Sequence, residues 1–361
     1  MAQQQPATAP FSCTYSPNVP ELLLRLNCSL VISTYQAGKL IFLSPKNEDS
    51  LIQLPRTFNK PMGIALSEEG NKMAVACKEE IVVFKNPPQL AVHYPKSPNT
   101  YDSLYFPRNT FHTGALDIHD LNWCSNTLYA VNTLFSCVVS INDDYNFTPY
   151  WTPSFITELV SEDRCHLNGM ATENHLPKYV SAFGKGNTFQ SWREKITTSG
   201  LIIDVTTNEI ITENLAMPHS PRLFNNELYV LLSATGELIK INRANGSKET
   251  VVKLSGFVRG MDFHKDFLFI GLSKLRKNSS TFAHLKIAEK SNYAGIAIIH
   301  LPTASLCGEI RYHTSVDEIY DVQVLPDKIR PNILNTTDTF HTLGVSAPGH
   351  TYWARTNEKE N

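Results

Sequence analysis

One short segment recurs along this chain and limits what it can fold into. A small or polar residue is followed by Gly or Asp and then by two apolar or small residues, and a turn and a hydrophobic run come next. The copies are Pro61-Met-Gly-Ile-Ala65, Ile118-His-Asp-Leu-Asn122, Leu167-Asn-Gly-Met-Ala171, His219-Ser-Pro-Arg-Leu223, Val258-Arg-Gly-Met-Asp262 and Ile319-Tyr-Asp-Val-Gln323. Their spacing is uneven, on the order of 40–60 residues, which suits four-stranded propeller blades with loops of variable length.

The runs between the copies are short and rich in β-branched and aromatic residues, as in Met73-Ala-Val-Ala-Cys77, Thr127-Leu-Tyr-Ala-Val-Asn132 and Phe267-Leu-Phe-Ile-Gly-Leu272. They read as strands, and Glu68-Glu-Gly-Asn71, Asn225-Asn226 and Ala244-Asn-Gly246 read as turns. The fold class is therefore all-β: a β-propeller of about six blades. A two-sheet sandwich is the competing architecture, and it leaves the recurring segment unexplained. The sixth copy has too little strand pattern after it. Leu30 to Thr34, Lys39 to Leu43 and Ser50 to Leu54 supply the missing strands, so N-terminal strands are expected to close the last blade. The expected organisation is an N-terminal extension (1–29), one propeller domain (30–334) and a C-terminal tail (335–361). Two departures from β pattern are expected. Pro153 to Asp163 carries Phe155, Ile156, Leu159 and Val160 at helical spacing, and Lys277 to Ser291 reads as a partly helical insertion. Arg355 to Asn361 reads as disordered.

Charge excludes some partners. With a formal net charge of −2 and no basic cluster, nucleic acid is not expected. No stretch approaches the ~20 apolar residues that cross a bilayer, so no membrane partner is expected either. Seven cysteines are scattered without a CxxC pair, and the first ten residues lack the charge and apolar core of a signal peptide. Reduced thiols and a cytoplasmic location are the expectation.

In a propeller the innermost strands face the central channel, and here they carry polar groups. His119, His166 and His219 fall on three consecutive inner strands. Imidazoles converging on the axis can hold Fe, Cu or Zn and leave a coordination position open, so these three are the candidate metal ligands. Asp117, Asp120 and Glu318 could orient their rings. Arg259, Glu318 and Asp120 are the catalytic candidates, and Arg222, Asn168, Tyr320, Trp192 and Arg193 the substrate-binding ones. Guanidinium geometry suits Arg222 and Arg259 to carboxylate or phosphate; internal salt bridges to Asp262 or Glu318 are the competing expectation. Trp192-Arg193 is expected on a loop over the channel mouth.

Several strings carry a resemblance: Ser33-Thr-Tyr-Gln-Ala-Gly-Lys-Leu40, His119-Asp-Leu-Asn-Trp123, Asp163-Arg-Cys-His-Leu-Asn-Gly-Met170, Met217-Pro-His-Ser-Pro-Arg222, Arg259-Gly-Met-Asp262 and Glu318-Ile-Tyr-Asp-Val-Gln-Val-Leu-Pro326. From about Ser33 to Pro326 the chain resembles an uncharacterised bacterial family of conserved hypothetical proteins, sometimes fused to tetratricopeptide repeats. That family brings no established activity with it. The leading functional expectation is a metal-dependent enzyme acting on a small molecule or peptide, with lyase, hydrolase or oxygenase chemistry, in a setting such as bacterial peptide or natural-product modification. The alternative is a metal-free binding module for an anionic small ligand or a peptide end.

Overall fold

Each copy of the recurring segment lies on, or leads into, the innermost strand of one blade in the computed structural model of the chain, which describes residues 9–275, 282 and 285–354. The next strand of each blade is buried along almost its whole length, as Phe267–Ser273 shows. Its two faces pack against different neighbours, which is why it is a continuous apolar run instead of an alternating one.

Blade 1 contains Ile64–Leu66, Lys72–Ala76, Ile81–Lys85 and Ser103–Phe111. Blade 2 contains Ile118–Cys124, Thr127–Asn132, Cys137–Ile141 and Thr148–Trp151. Blade 3 contains Leu167–Glu173, Leu176–Ala182, Gly200–Asp204 and Ile210–Leu215. Blade 4 contains Pro218–Phe224, Glu227–Leu232, Glu237–Ile241 and Lys248–Lys253. Blade 5 contains Phe257–His264, Phe267–Ser273, Ala294–His300 and Ser305–Tyr312. Blade 6 joins the chain ends: Asp321–Pro326 is its inner strand, and Cys28–Thr34, Lys39–Pro45 and Leu51–Thr57 form the rest. N-terminal strands thus complete the last blade, as the sequence predicts. A separate apolar cluster fills each of the six junctions between blades.

The segments flanking the ring are built into it. Cys13–Tyr15 adds a fifth strand to blade 5, and the helix Val19–Leu26 buries Val19, Leu22, Leu23 and Leu26 in the core between blades 5 and 6. Pro331–Ile333 adds a parallel edge strand to blade 1. Beyond it, Trp353 packs on Tyr94, Phe106 and Phe340 and donates its indole N–H to the Leu90 carbonyl. Within the 277–291 insertion Lys286–Glu289 forms a short 3-10 helix; residues 276–281, 283–284 and 355–361 lie outside the described residues, and with them the expected disorder of the last seven. No helix among the described residues is long and apolar enough to cross a membrane.

The helix expected at Pro153 to Asp163 is corrected: the segment is a run of turns. Its amide groups go elsewhere, Ser154 N–H to Asn208 Oδ1 and Thr157 N–H to Asn187 Oδ1. Side chains from neighbouring loops take the donors that a helix would have used.

Around the axis the third position of the recurring segment alternates in size. Gly63, Gly169 and Gly260 occupy it in blades 1, 3 and 5, and Asp120, Pro221 and Asp321 in blades 2, 4 and 6. A Cβ on Gly63 would lie 2.9 Å from the Asp120 Cα, one on Gly169 2.5 Å from the Pro221 Cδ, and one on Gly260 2.6 Å from the Asp321 Cα. Each glycine therefore makes room for its larger neighbour: backbone stands where a side chain would be at Gly63 and Gly260, and the Pro221 ring does at Gly169. Gly169→Ala is expected to cost about 2–3 kcal/mol by urea unfolding. Gly70→Ala, at a left-handed turn with open space around it, should cost only about 1 kcal/mol; equal losses would contradict the packing argument.

Candidate functional site

The inner strands of adjacent blades do not share a ladder, so their axial backbone groups need other partners. Hydroxyls at the end of the second strand of a blade supply one set. Ser33 donates to the Met62 carbonyl (2.5 Å), Thr133 to that of Leu167 (2.5 Å), Ser233 to that of Val258 (2.6 Å) and Ser273 to that of Ile319 (3.1 Å). Carboxylates supply the other. Met170 N–H donates to Asp120 (2.9 Å), Ile64 N–H to Asp321 (2.9 Å) and Val324 N–H to Asp262 (2.7 Å), each reaching from one blade to the previous one.

These links fix the histidines. Thr133 has spent its proton on Leu167, so its oxygen can only accept from His119 Nδ1, 2.8 Å away. Ser233 has likewise spent its proton on Val258 and accepts from His219 Nδ1 at 2.7 Å. His166 Nδ1 lies 3.1 and 3.2 Å from the two carboxylate oxygens of Asp163, which also accepts the Trp192 indole N–H at 3.1 Å. All three rings therefore carry the proton on Nδ1. No Nε2 of the three hydrogen-bonds another described residue, so all three are unengaged. Burial is the main force holding the His119 imidazole down to about 4; Asp117 opposes it, and the charges of His166 and Arg259 add to it. His219 is pushed well below the usual range by burial first and then by Arg259. Both stay neutral at pH 7.

One cavity of about 610 Å³ collects these groups at the end of the channel where the inner strands begin. Aromatic rings run around it in sequence, with centroids 4.3–6.3 Å apart: Tyr35, Tyr320, His119, His166, then Trp192 and Phe183, His219, Phe257 and Phe282. Arg259 lies 3.5 Å above the Tyr320 ring and 3.6 Å from a Glu318 oxygen. The Tyr320 hydroxyl is buried without a hydrogen-bond partner among the described residues, and burial raises it well above its usual range, so it is a donor. Asp117, His166 and Met217, on the cavity wall, and Asp163 behind it have φ of 55°, 51°, 58° and 46°, a left-handed conformation that side chains disfavour.

Of the residues singled out in the sequence, His119, His166, His219, Arg259, Glu318, Tyr320, Trp192 and Arg193 all line this cavity, the last two from the 3-10 helix Ser191–Lys195. Asp120, Asn168 and Arg222 do not. Asp120 links blades 2 and 3, Asn168 accepts from Ser181 within blade 3, and Arg222 reaches across from blade 4 to chelate Asp120 at 2.8 and 3.3 Å, with Asp321 at 4.0 Å. Both arginines thus carry internal ion pairs, Arg259 with Glu318 and Arg222 with Asp120. Among the described residues no three His, Cys, Asp or Glu side chains form a group that could hold a metal ion. The rings are tied to different walls, and Phe183 touches both His166 and His219. Cys165, beside His166, is buried with its thiol pushed up to about 12 by burial, far from a reactive thiolate. Sequence reasoning missed Asp163, although it stands three residues before His166, and it missed Phe183, Phe257 and Phe282, which no motif marks out.

The six blades and the pocket at one end of their axis define a six-bladed β-propeller with an axial cavity. The chain belongs to the family described as a domain of unknown function (DUF4915), which matches residues 17–334. No curated protein matches it significantly. Among solved structures it is similar to a chain of the crystal structure of a nidogen/laminin complex, with 10% identity and a TM-score of 0.53 over 83% of this chain and 99% of that one. At that identity the likeness concerns fold alone.

Arg222 is the counter-charge for carboxylates buried at the axis, so Arg222→Met should lose about 3–5 kcal/mol. Burial first, and then the charge of Asp120, raise the Asp321 carboxyl to about 7 against the pull of Arg222. A raised folded value means that protonated Asp321 adds stability, fully present below the unfolded value and lost as pH rises through about 7. Without Arg222 that proton is held more tightly. The loss in Arg222→Met should therefore be larger near ~pH 8 than near ~pH 5.5 in urea titrations; a loss independent of pH would contradict the assignment.

Proposed function

We propose that the axial cavity binds a small organic anion that also carries hydroxyl or N–H donors, with hydroxycarboxylates as the simplest members of the class. One observation carries the reading: three imidazoles in a single collar are locked with the proton on Nδ1, so three unengaged Nε2 atoms, those of His119 and His219 as neutral acceptors, accompany the Arg259 and Tyr320 donors. Neutral imidazole acceptors suit ligand O–H or N–H groups, and guanidinium with a phenol hydroxyl suits a carboxylate. Among the described lining residues Arg193, Arg259 and Lys274 are cationic and Asp117 and Glu318 anionic, a balance of +1 that favours an anion. The volume is that of an ordinary small-molecule site, and the aromatic collar suits a flat or apolar ligand body. A peptide C-terminus carries the same carboxylate beside an N–H. All seven cysteines are free thiols, which suits a reducing compartment such as the cytoplasm.

Thermal unfolding with malate, tartrate, N-acetylalanine and the neutral malamide tests this. The acids should raise Tm, by up to about 2.7 kcal/mol of added stability at a hundredfold excess over Kd, and malamide should not. A preference for malate and tartrate indicates a hydroxy acid, and one for N-acetylalanine a peptide end. Arg259→Gln should lose the shift, and Arg243→Gln, on the outer turns of blade 4, should keep it. Equal shifts from acid and amide would refute the reading. Stoichiometric Zn, Fe or Cu in the same preparation, lost in His119→Ala, would replace it with the metal-dependent enzyme expected from the sequence.

A further inference from the structure

The three imidazoles of the collar are not equivalent. His119 and His219 send Nδ1–H to neutral partners: the Thr133 hydroxyl and Asp117 carbonyl for one, the Ser233 hydroxyl and Met217 carbonyl for the other. The Asp117 carboxylate stands 3.6 Å from His119 Nδ1, beyond hydrogen-bond reach, and is itself half exposed. Burial depresses both rings, to about 4 for His119 and well below the usual range for His219. They are built to remain neutral acceptors.

His166 is built differently. Its Nδ1–H faces both oxygens of a buried carboxylate, Asp163. That carboxylate is oriented by the Trp192 indole N–H, and the His166 ring is flanked by Trp192 at 4.3 Å and Phe183 at 4.5 Å. Asp163 and His166 both hold left-handed backbone, a cost the fold accepts to bring them together. A carboxylate behind an imidazole stabilises the imidazolium that forms when Nε2 takes a proton, and His166 lines the cavity with that Nε2 unengaged.

We propose that His166, with Asp163 as its positioning residue, is the proton-transferring base of the axial pocket, acting on an O–H or acidic C–H of an anionic substrate held at Arg259. The inference rests on the small-anion reading of the pocket. In the step, the Nε2 lone pair forms the new N–H bond, the electrons of the substrate X–H bond stay on X, and the positive charge on the ring faces Asp163. His119, His219 and Tyr320 stay in place as hydrogen-bonding groups. Returning the proton to another atom of the substrate completes an isomerisation, or an elimination if a leaving group departs, without a co-reactant.

Alkylation tests this without the substrate. Bromoacetate carries the proposed anionic group, and attack by a bare imidazole Nε2 forms an N–C bond as the C–Br bond breaks and bromide leaves. Site-resolved mass spectrometry should find His166 labelled first, and about tenfold faster by bromoacetate than by bromoacetamide. Arg259→Gln should remove that preference. Asp163→Asn keeps the side-chain size and should slow His166 labelling about tenfold or more, leaving His119 and His219 unchanged; a loosened fold would instead raise labelling at all three. First labelling of His119 or His219, or a His166 rate indifferent to Asp163→Asn, overturns the base assignment and leaves the anion pocket standing. Equal rates with the two reagents, with His166 still first and still slowed by Asp163→Asn, refute the anion pocket and support the base assignment.

Discussion

At the axis of this ring the inner edge of every blade is a strand without a ladder partner, and the rest of the structure depends on how those edges are satisfied. An unpaired strand edge buried in a protein costs free energy at each N–H and C=O. Here hydroxyls take the carbonyls and carboxylates take the amides across three of the junctions: blade 6 to 1 through Ser33 and Asp321, 2 to 3 through Thr133 and Asp120, and 5 to 6 through Ser273 and Asp262. Between blades 4 and 5 hydroxyls take both, Ser233 donating to the Val258 carbonyl and Ser220 accepting the Gly260 N–H. Putting carboxylates at the axis creates a second demand, since a buried negative charge needs a partner. Arg222 meets it from blade 4 by chelating Asp120 and approaching Asp321.

The pocket grows out of the same links. Because Thr133 and Ser233 must donate to the next blade, they can only accept from the histidine of their own blade, and that sets the tautomers of His119 and His219. The scaffold thereby presents bare acceptors without adding a charge to the channel. His166 departs from this scheme, since its partner is the loop carboxylate Asp163. The one ring backed by charge is thus also held by strained backbone, as expected where geometry serves a task beyond folding.

Much of this is legible in the sequence because the axis repeats. The Gly or Asp of the recurring segment sits at the crowded inner ring in five of the six blades, Pro221 replacing it in blade 4, so Gly63, Asp120, Gly169, Gly260 and Asp321 stand out without any structure. The histidines are legible for the same reason, as polar residues at inner-strand starts. What is not legible depends on partners far apart in sequence. Arg222 and Asp120 meet across the axis although they stand 102 positions apart in sequence, so Arg222 reads equally well as a ligand holder. Asp163 is a turn residue whose meaning appears only when His166 bends back toward it. The apolar spacing of Phe155, Ile156, Leu159 and Val160 promises a helix, and only the amide-accepting side chains of Asn187 and Asn208, brought in by other loops, override it.

The central claim is that the links between blades fix the proton on Nδ1 of His119 and His219, as Asp163 fixes it on His166, and leave the three Nε2 atoms unengaged in the cavity. Long-range proton–nitrogen correlation spectra of protein labelled with 15N-histidine read this directly, with His119→Gln, His166→Gln and His219→Gln assigning the signals among the 12 histidines. Near neutral pH the account predicts the Nδ1–H form for each of the three, and a reduced share of that form at His119 alone in Thr133→Val, where the Asp117 carbonyl is the acceptor left to Nδ1. A proton on Nε2 of His119 or His219 would contradict it, because the hydroxyls that link the blades would then not be setting the chemistry of the pocket.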